Sequence, residues 1–179
     1  MLIKIEKKFN KFMDFIGNIL IVMLLLMILN VFYDVVMRYA FHDSSIAMQE
    51  LEWHFFSIII LFGTSYSLKE NAHVRVDFLY DKFSTKTQAI INIVGTIFFL
   101  LPFTLLIIYG SYTFFMDSYS IGETSGDPGG LKYLWAIKAM IPISFILLFI
   151  EGIVYIIQNI NIYRELEKPK KVDPQGALS

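Results

Sequence analysis

Between Asp34 and His54 the sequence gathers side chains that could do acid–base or ligand chemistry: Asp34, Arg38, His42, Asp43, Glu50, Glu52 and His54, with Trp53 beside them. Asp34 and Arg38 are four apart, in the acid-before-base order that favours a pair along one helix. Ser44 or Ser45 can cap a helix start, and Glu50 and Glu52 then fall in its early turns, where the positive helix end suits carboxylates. Arg38 is also placed to meet Glu50 or Glu52 across a helical hairpin, a pairing that would fix the register of the two helices. These local readings account for the cluster without catalysis.

The three histidines, at 42, 54 and 73, raise the question of a metal or haem, because neutral imidazole is a common ligand. No two of them share a helix at ligand spacing, and the topology argued below separates His73 from the other two, so neither metal nor cofactor is expected. The chain has no cysteine, which removes disulfides, thiol catalysis and thiolate-bound metals. The segment Gly122-Glu123-Thr124-Ser125-Gly126-Asp127-Pro128-Gly129-Gly130 has turn chemistry throughout. It lacks the lysine and following Ser or Thr of a phosphate loop and the acidic ladder of a calcium loop, and reads as an irregular turn. Glu151 is the most unusual residue, standing halfway along an apolar run, where an ionisable side chain is costly and commonly functional. A proton or ion carrier could use it. A single acid with no continuing polar path instead favours a neutral, hydrogen-bonded carboxylic acid packed against another helix.

The elements that hold these residues follow from composition. In 179 residues, 56% are hydrophobic and 17% charged, too apolar for an ordinary soluble surface. The excess lies in four long runs, which predict an all-α membrane protein with spans at about 12–33, 49–68, 87–116 and 139–163. The uncharged stretch Phe15 to Tyr33 is too long for a secretory signal and is followed by no small-residue cleavage pattern. In the third run Pro102 lies near the middle and predicts a kinked or tilted helix. Short connections make consecutive spans antiparallel neighbours, giving two hairpins packed as a bundle in one membrane domain, 1–165, followed by a polar tail, 166–179. Glycines at 17, 63, 95, 110 and 152 would permit close helix contacts, although membrane helices also tolerate glycine without one.

Lys and Arg set the expected orientation. Four precede the first run, four lie in 69–86 and four follow from Arg164, whereas the other two connections hold only Arg38, Lys132 and Lys138. Both termini are therefore expected in the cytoplasm. Ahead of the first run, Leu2, Ile5, Phe9 and Phe12 share one helical face and Lys4, Lys7, Lys8 and Lys11 the other, as in an interfacial helix. The segment from Asn71 to Phe78 alternates polar and apolar residues, as an interface anchor would. A formal net charge of −1 gives no indication of nucleic acid as a partner.

Four runs in this order, with Arg38-Tyr39, Gln49-Glu50-Leu51-Glu52-Trp53-His54, Gly63, His73-Val74-Arg75-Val76-Asp77, Gly122-Glu123-Thr124-Ser125 and the Trp135-to-Pro142 segment, resemble one family over nearly the whole chain. It is the small, DctQ-type membrane subunit of the tripartite ATP-independent periplasmic (TRAP) transporters. The resemblance implies a multi-pass protein of the bacterial or archaeal cytoplasmic membrane and no enzymatic activity. Its implied partners are a large multi-span subunit, an extracytoplasmic substrate-binding protein and the lipid bilayer. It further implies ion-driven uptake, usually coupled to sodium, of carboxylate substrates, with the solute and ion sites in the large subunit and a scaffolding role for the small one. Arg38, Glu50, Glu52, Trp53, His73, Asp77, Glu123 and Glu151 are then candidate structural or partner contacts. Many relatives carry Gln where this chain has Glu151, a departure that weakens an essential titrating proton there. The competing class is an independent, oligomeric small transporter or channel built on Glu151.

Overall fold

The computed structural model describes residues 2–70, 72 and 80–167. Helix α1 (Leu2–Ala40) runs 39 residues without a break. At 1.5 Å per residue it is about 58 Å long, nearly twice a hydrocarbon core of about 30 Å. The basic leader and the first span are thus one rod rather than an interfacial helix followed by a span. No proline interrupts residues 2–40, so nothing in the backbone forces a hinge there. Helix α2 (Ile46–Lys69) starts at Ser45, whose backbone is extended and whose side chain makes no capping bond. The Ser45 carbonyl accepts instead from the N–H groups of Met48 and Gln49.

The third span is built in pieces. Helix α3 (Thr85–Gly95) is capped by Ser84, whose hydroxyl oxygen accepts from the Thr87 N–H. A widened, π-helical turn, Thr96–Leu100, leads into α4 (Leu101–Ser120). Pro102 explains the widening: it has no N–H to donate and its ring crowds the carbonyl one turn earlier, so an extra residue in the turn just ahead relieves both. Past Ser120, Gly122 adopts a left-handed backbone, φ 60°. Its N–H reaches the Tyr119 carbonyl and the Glu123 N–H reaches the Ser118 carbonyl, a paired helix stop that a side chain at 122 would strain. Helix α5 (Trp135–Glu167) is the fourth span, with Pro142 inside it.

Four helical stretches are long and apolar enough to cross a membrane, and the described residues contain no strand. The spans pack as two antiparallel hairpins laid in a row: α1 against α2, α2 against α5, and α5 against the third span. Helices α2 and α4 scarcely touch, so the second and third spans, although consecutive, are not the neighbours that their connection suggested. The fourth span is the common neighbour, and its buried residues Leu148 and Tyr155 meet Leu68 of α2, with Leu100 and Phe145 packed around them. Two of the five glycines in the spans serve close approach. A Cβ on Gly17 would stand 2.6 Å from the Tyr66 ring, and one on Gly152 would stand 2.7 Å from Leu100, whereas Gly63, Gly95 and Gly110 face open space. Large apolar side chains such as Phe32, Phe99, Leu106 and Tyr109 point outward, which suits a lipid environment. The Asn161 amide donates to Glu6 and the Gln158 amide to Asn10, so the start of α1 and the end of α5 lie at the same end of the array.

Candidate functional site

At the opposite end, the connection between α4 and α5 is an ordered structure organised by Glu50 of α2. One carboxylate oxygen of Glu50 accepts from the Ser125 hydroxyl and the other from the Leu131 N–H. The loop closes on itself through the Ser125 N–H to the Leu131 carbonyl, 2.9 Å, and the Gly130 N–H to the Asp127 carbonyl, 3.0 Å. A Cβ on Gly130 would collide with Ser125 and Glu50, so the backbone approach requires glycine there. Turn-forming residues alone did not reveal this. The sequence marks the loop as irregular, but the long-range partner of its backbone is a carboxylate some 80 positions away.

Glu123 pairs with Lys138 on the first turns of α5. The ammonium beside it holds its carboxyl below the ordinary value of 4.5. Lys138 also stands 4.2 Å from the Phe114 ring centroid, so one cation joins the loop, α4 and α5. Arg38 pairs with Asp34, one turn earlier on α1, and Asp34 is buried. The local pairing thus prevails over the cross-hairpin one: Arg38 is engaged by Asp34 while the Glu50 oxygens are occupied by the loop. What ties α1 to α2 at this end is Asn30, whose amide donates to the Met48 carbonyl at 2.9 Å. Glu52 and Trp53 line a shallow hollow with Met27, Val31 and Phe56, and Trp53 is 70% exposed. The structure therefore gathers Glu50, Glu123 and Arg38 at one end without bringing them into one constellation. His73 and Asp77 lie outside the described residues.

Glu151 is buried between Leu148 and Tyr155 with no exposed surface, and among the described residues neither carboxylate oxygen has a hydrogen-bond partner. The residue is buried, and the expected hydrogen bond is absent among the described residues. The Ser65 hydroxyl, on the α2 face that includes Leu68, is likewise buried without a partner among the described residues. The Lys69 ammonium, one turn beyond Ser65, pairs with Asp14 of α1 and the neighbouring Glu70. The other interior tie is neutral: Asn92 of α3 donates to Asn159 of α5 at 2.9 Å, and Asn159 donates to the Tyr155 carbonyl. Isolated amides inside apolar runs are visible in the sequence, and Asn30, Asn92 and Asn159 are three that the sequence reading passed over. Among the described residues no group of three or more His, Asp or Glu could hold a metal ion.

Residues 27–161 match the family model described as tripartite ATP-independent periplasmic transporters, DctQ component. The chain is also 32% identical over 126 residues to a Haemophilus influenzae protein described as a TRAP transporter small permease, covering 70% of this chain and 78% of that one. A second protein of that description from the same organism is 30% identical over 148 residues, covering 82% and 87%. The matched region contains the Glu50 tie, the Glu123–Lys138 pair and Glu151, and four apolar spans accompany it. The chain belongs to the DctQ family and is a TRAP-type small permease subunit, a multi-pass protein of the inner membrane.

Proposed function

We propose that this subunit is the fixed scaffold of a secondary, sodium-coupled TRAP transporter for carboxylate uptake. It supports a large multi-span subunit that carries substrate and ions, while an extracytoplasmic binding protein supplies the substrate. The observation that carries this reading is the use of its polar side chains. Glu50, Asn30, Asn92, Asn159, Asp14 and Lys69 each join one helix to another, or a helix to a loop, where a carrier would gather ligands for a solute. The coupling ion and the substrate class rest on the family resemblance. Contact with the large subunit is assigned to the membrane-embedded faces, where association depends on packing and polar contacts rather than on exclusion of water.

The test is reconstitution. Vesicles holding this chain alone should show no ion-gradient-driven accumulation, and the three-part system should accumulate substrate. Accumulation by the chain alone would reject the scaffold reading in favour of an independent transporter, a reading that the buried, unpartnered Glu151 favours.

The orientation belongs to the same proposal, with both termini cytoplasmic and residues 1–165 forming one membrane domain. Its support is the twelve-to-three distribution of Lys and Arg. Single cysteines at Ser44 and Gly126 should react with an impermeant external reagent in intact cells, and one at Ser84 should not. The reverse pattern would invert the topology.

A further inference from the structure

Because α2 and α4 scarcely touch, an open groove of about 780 Å³ is left between α2 and the third span, on one face of α5. Thr64 and Leu68 form one wall, Phe99 and Phe103 the other, and Leu148 and Tyr155 the floor. The groove is almost wholly apolar along its length and changes character at one end. There it shares Tyr80, Asn92 and Tyr155 with a second hollow of about 240 Å³, to which Thr85, Gln88 and Gln158 contribute polar groups.

Hydrogen bonds hold that polar end in shape. The Tyr80 hydroxyl donates to Asn92, 3.1 Å, and the Gln88 amide donates to the Tyr80 carbonyl, 3.0 Å. Lys86 lies 5.4 Å from the Tyr163 ring centroid, and the sequence neighbours of this pair, Thr85 and Ile162, line the pocket. An exposed cation therefore stands next in sequence to the lining of the polar hollow.

The dimensions match one leaflet. From Asn92 to Phe103 the third span advances eleven residues, about 16 Å, against about 15 Å for half the hydrocarbon core. A partner helix crossing the membrane would call for a groove along the full height of the array. This one is polar and cationic at interface depth, apolar for one leaflet, and ends near the middle of the spans.

We propose that this groove binds one phospholipid of the leaflet on the side of the chain termini. An acyl chain lies along Gly95, Phe99 and Leu148, the glycerol ester region meets Gln88, Asn92 and Gln158, and Lys86 faces the phosphate. The lipid fills the space between the two hairpins, which otherwise meet mainly through α2 and α5.

The experiment is native mass spectrometry of the full-length tagged chain, taken from cell membranes with whatever it is bound to and offered phosphatidylglycerol or phosphatidylethanolamine. One phospholipid per chain should survive delipidation. Gly95→Phe, placed where a Cβ meets nothing within 4 Å, should fill the groove and lower that occupancy about tenfold. Gly110→Phe, equally open but away from the groove, should retain the lipid. Lys86→Glu should weaken retention of the anionic lipid more than of the zwitterionic one.

Absence of a retained lipid in the wild type, or equal retention in Gly95→Phe, would overturn the proposal. So would a Gly95→Phe variant that sheds a bound membrane protein while keeping its lipid, because the occupant would then be that protein. If Gly95→Phe does not accumulate in cells, a phospholipid with a photoreactive acyl chain decides on the wild type. Adducts at 95–103 and 148–155 support the site, and adducts spread over the outer face of α1 refute it.

Discussion

Glu50 and Glu151 are the same side chain on two neighbouring helices, and the fold treats them in opposite ways. Glu50 stands within the first turns of α2, and a returning loop brings it a hydroxyl and a backbone N–H. Glu151 stands mid-span on α5 and receives no hydrogen bond from the described residues. The difference follows from what each depth can supply. At the end of a span, loop backbone has unpaired donors that need an acceptor, whereas at mid-span every backbone N–H is already used within its helix. Only side chains remain there, and among the described residues none donates to Glu151.

Charge at Glu151 is the sharpest way to test that contrast. Glu151→Lys puts a longer cation in a closed interface at a cost of roughly 3 kcal/mol or more, and transport by the complete system should be lost along with stable insertion. Glu151→Gln keeps the shape and should preserve both, read by uptake and by recovery of the intact complex. A Gln variant that assembles normally but no longer couples uptake to an ion gradient would show that the acid does more than pack.

At the other pole, Glu50→Ala removes the acceptor that orders the loop between α4 and α5. The Leu131 N–H is then left to water, and a cysteine at Thr124 should become more reactive and the loop more easily cut by protease, while the spans stay inserted. Unchanged loop protection would mean that Glu123 and Lys138 suffice.

Packing without charge gives a smaller effect. Gly152→Leu, one residue from Glu151, drives a side chain into Leu100 and should destabilise the α5 contact with the third span by about 1–3 kcal/mol. Gly110→Leu should be nearly silent. Equal melting temperatures for the two in detergent would contradict the row arrangement.

The smallest effect is that of pH on the loop. Lys138 lowers the Glu123 carboxyl in the folded state, so the pair stabilises the loop above the ordinary value of 4.5 and fades as pH falls through the lowered native value. Proteolysis of the loop should rise on acidification below that point, and Glu123→Gln should reduce the dependence to the part due to Glu50, whose carboxyl the Ser125 hydroxyl and the Leu131 N–H also lower. A dependence centred near neutrality would assign it to another group.

The sequence by itself determined the number of spans, the alternating direction of consecutive spans and the family, because lipid demands long uncharged runs and each connection returns the chain across the bilayer. It also contained the local Asp34–Arg38 pair, since four-residue spacing on one helix fixes that contact without tertiary information. The tertiary structure alone decided which hairpins touch through which helix, that Gly17 and Gly152 are contact points while Gly63, Gly95 and Gly110 are not, and that Glu50 serves the loop at 125–131 rather than Arg38. Apolar surface looks alike on every face of a membrane helix, and lipid exerts no pull that selects one face for burial. The choice rests on shape and on a few polar donors whose partners lie far apart in the chain, and neither can be read from periodicity.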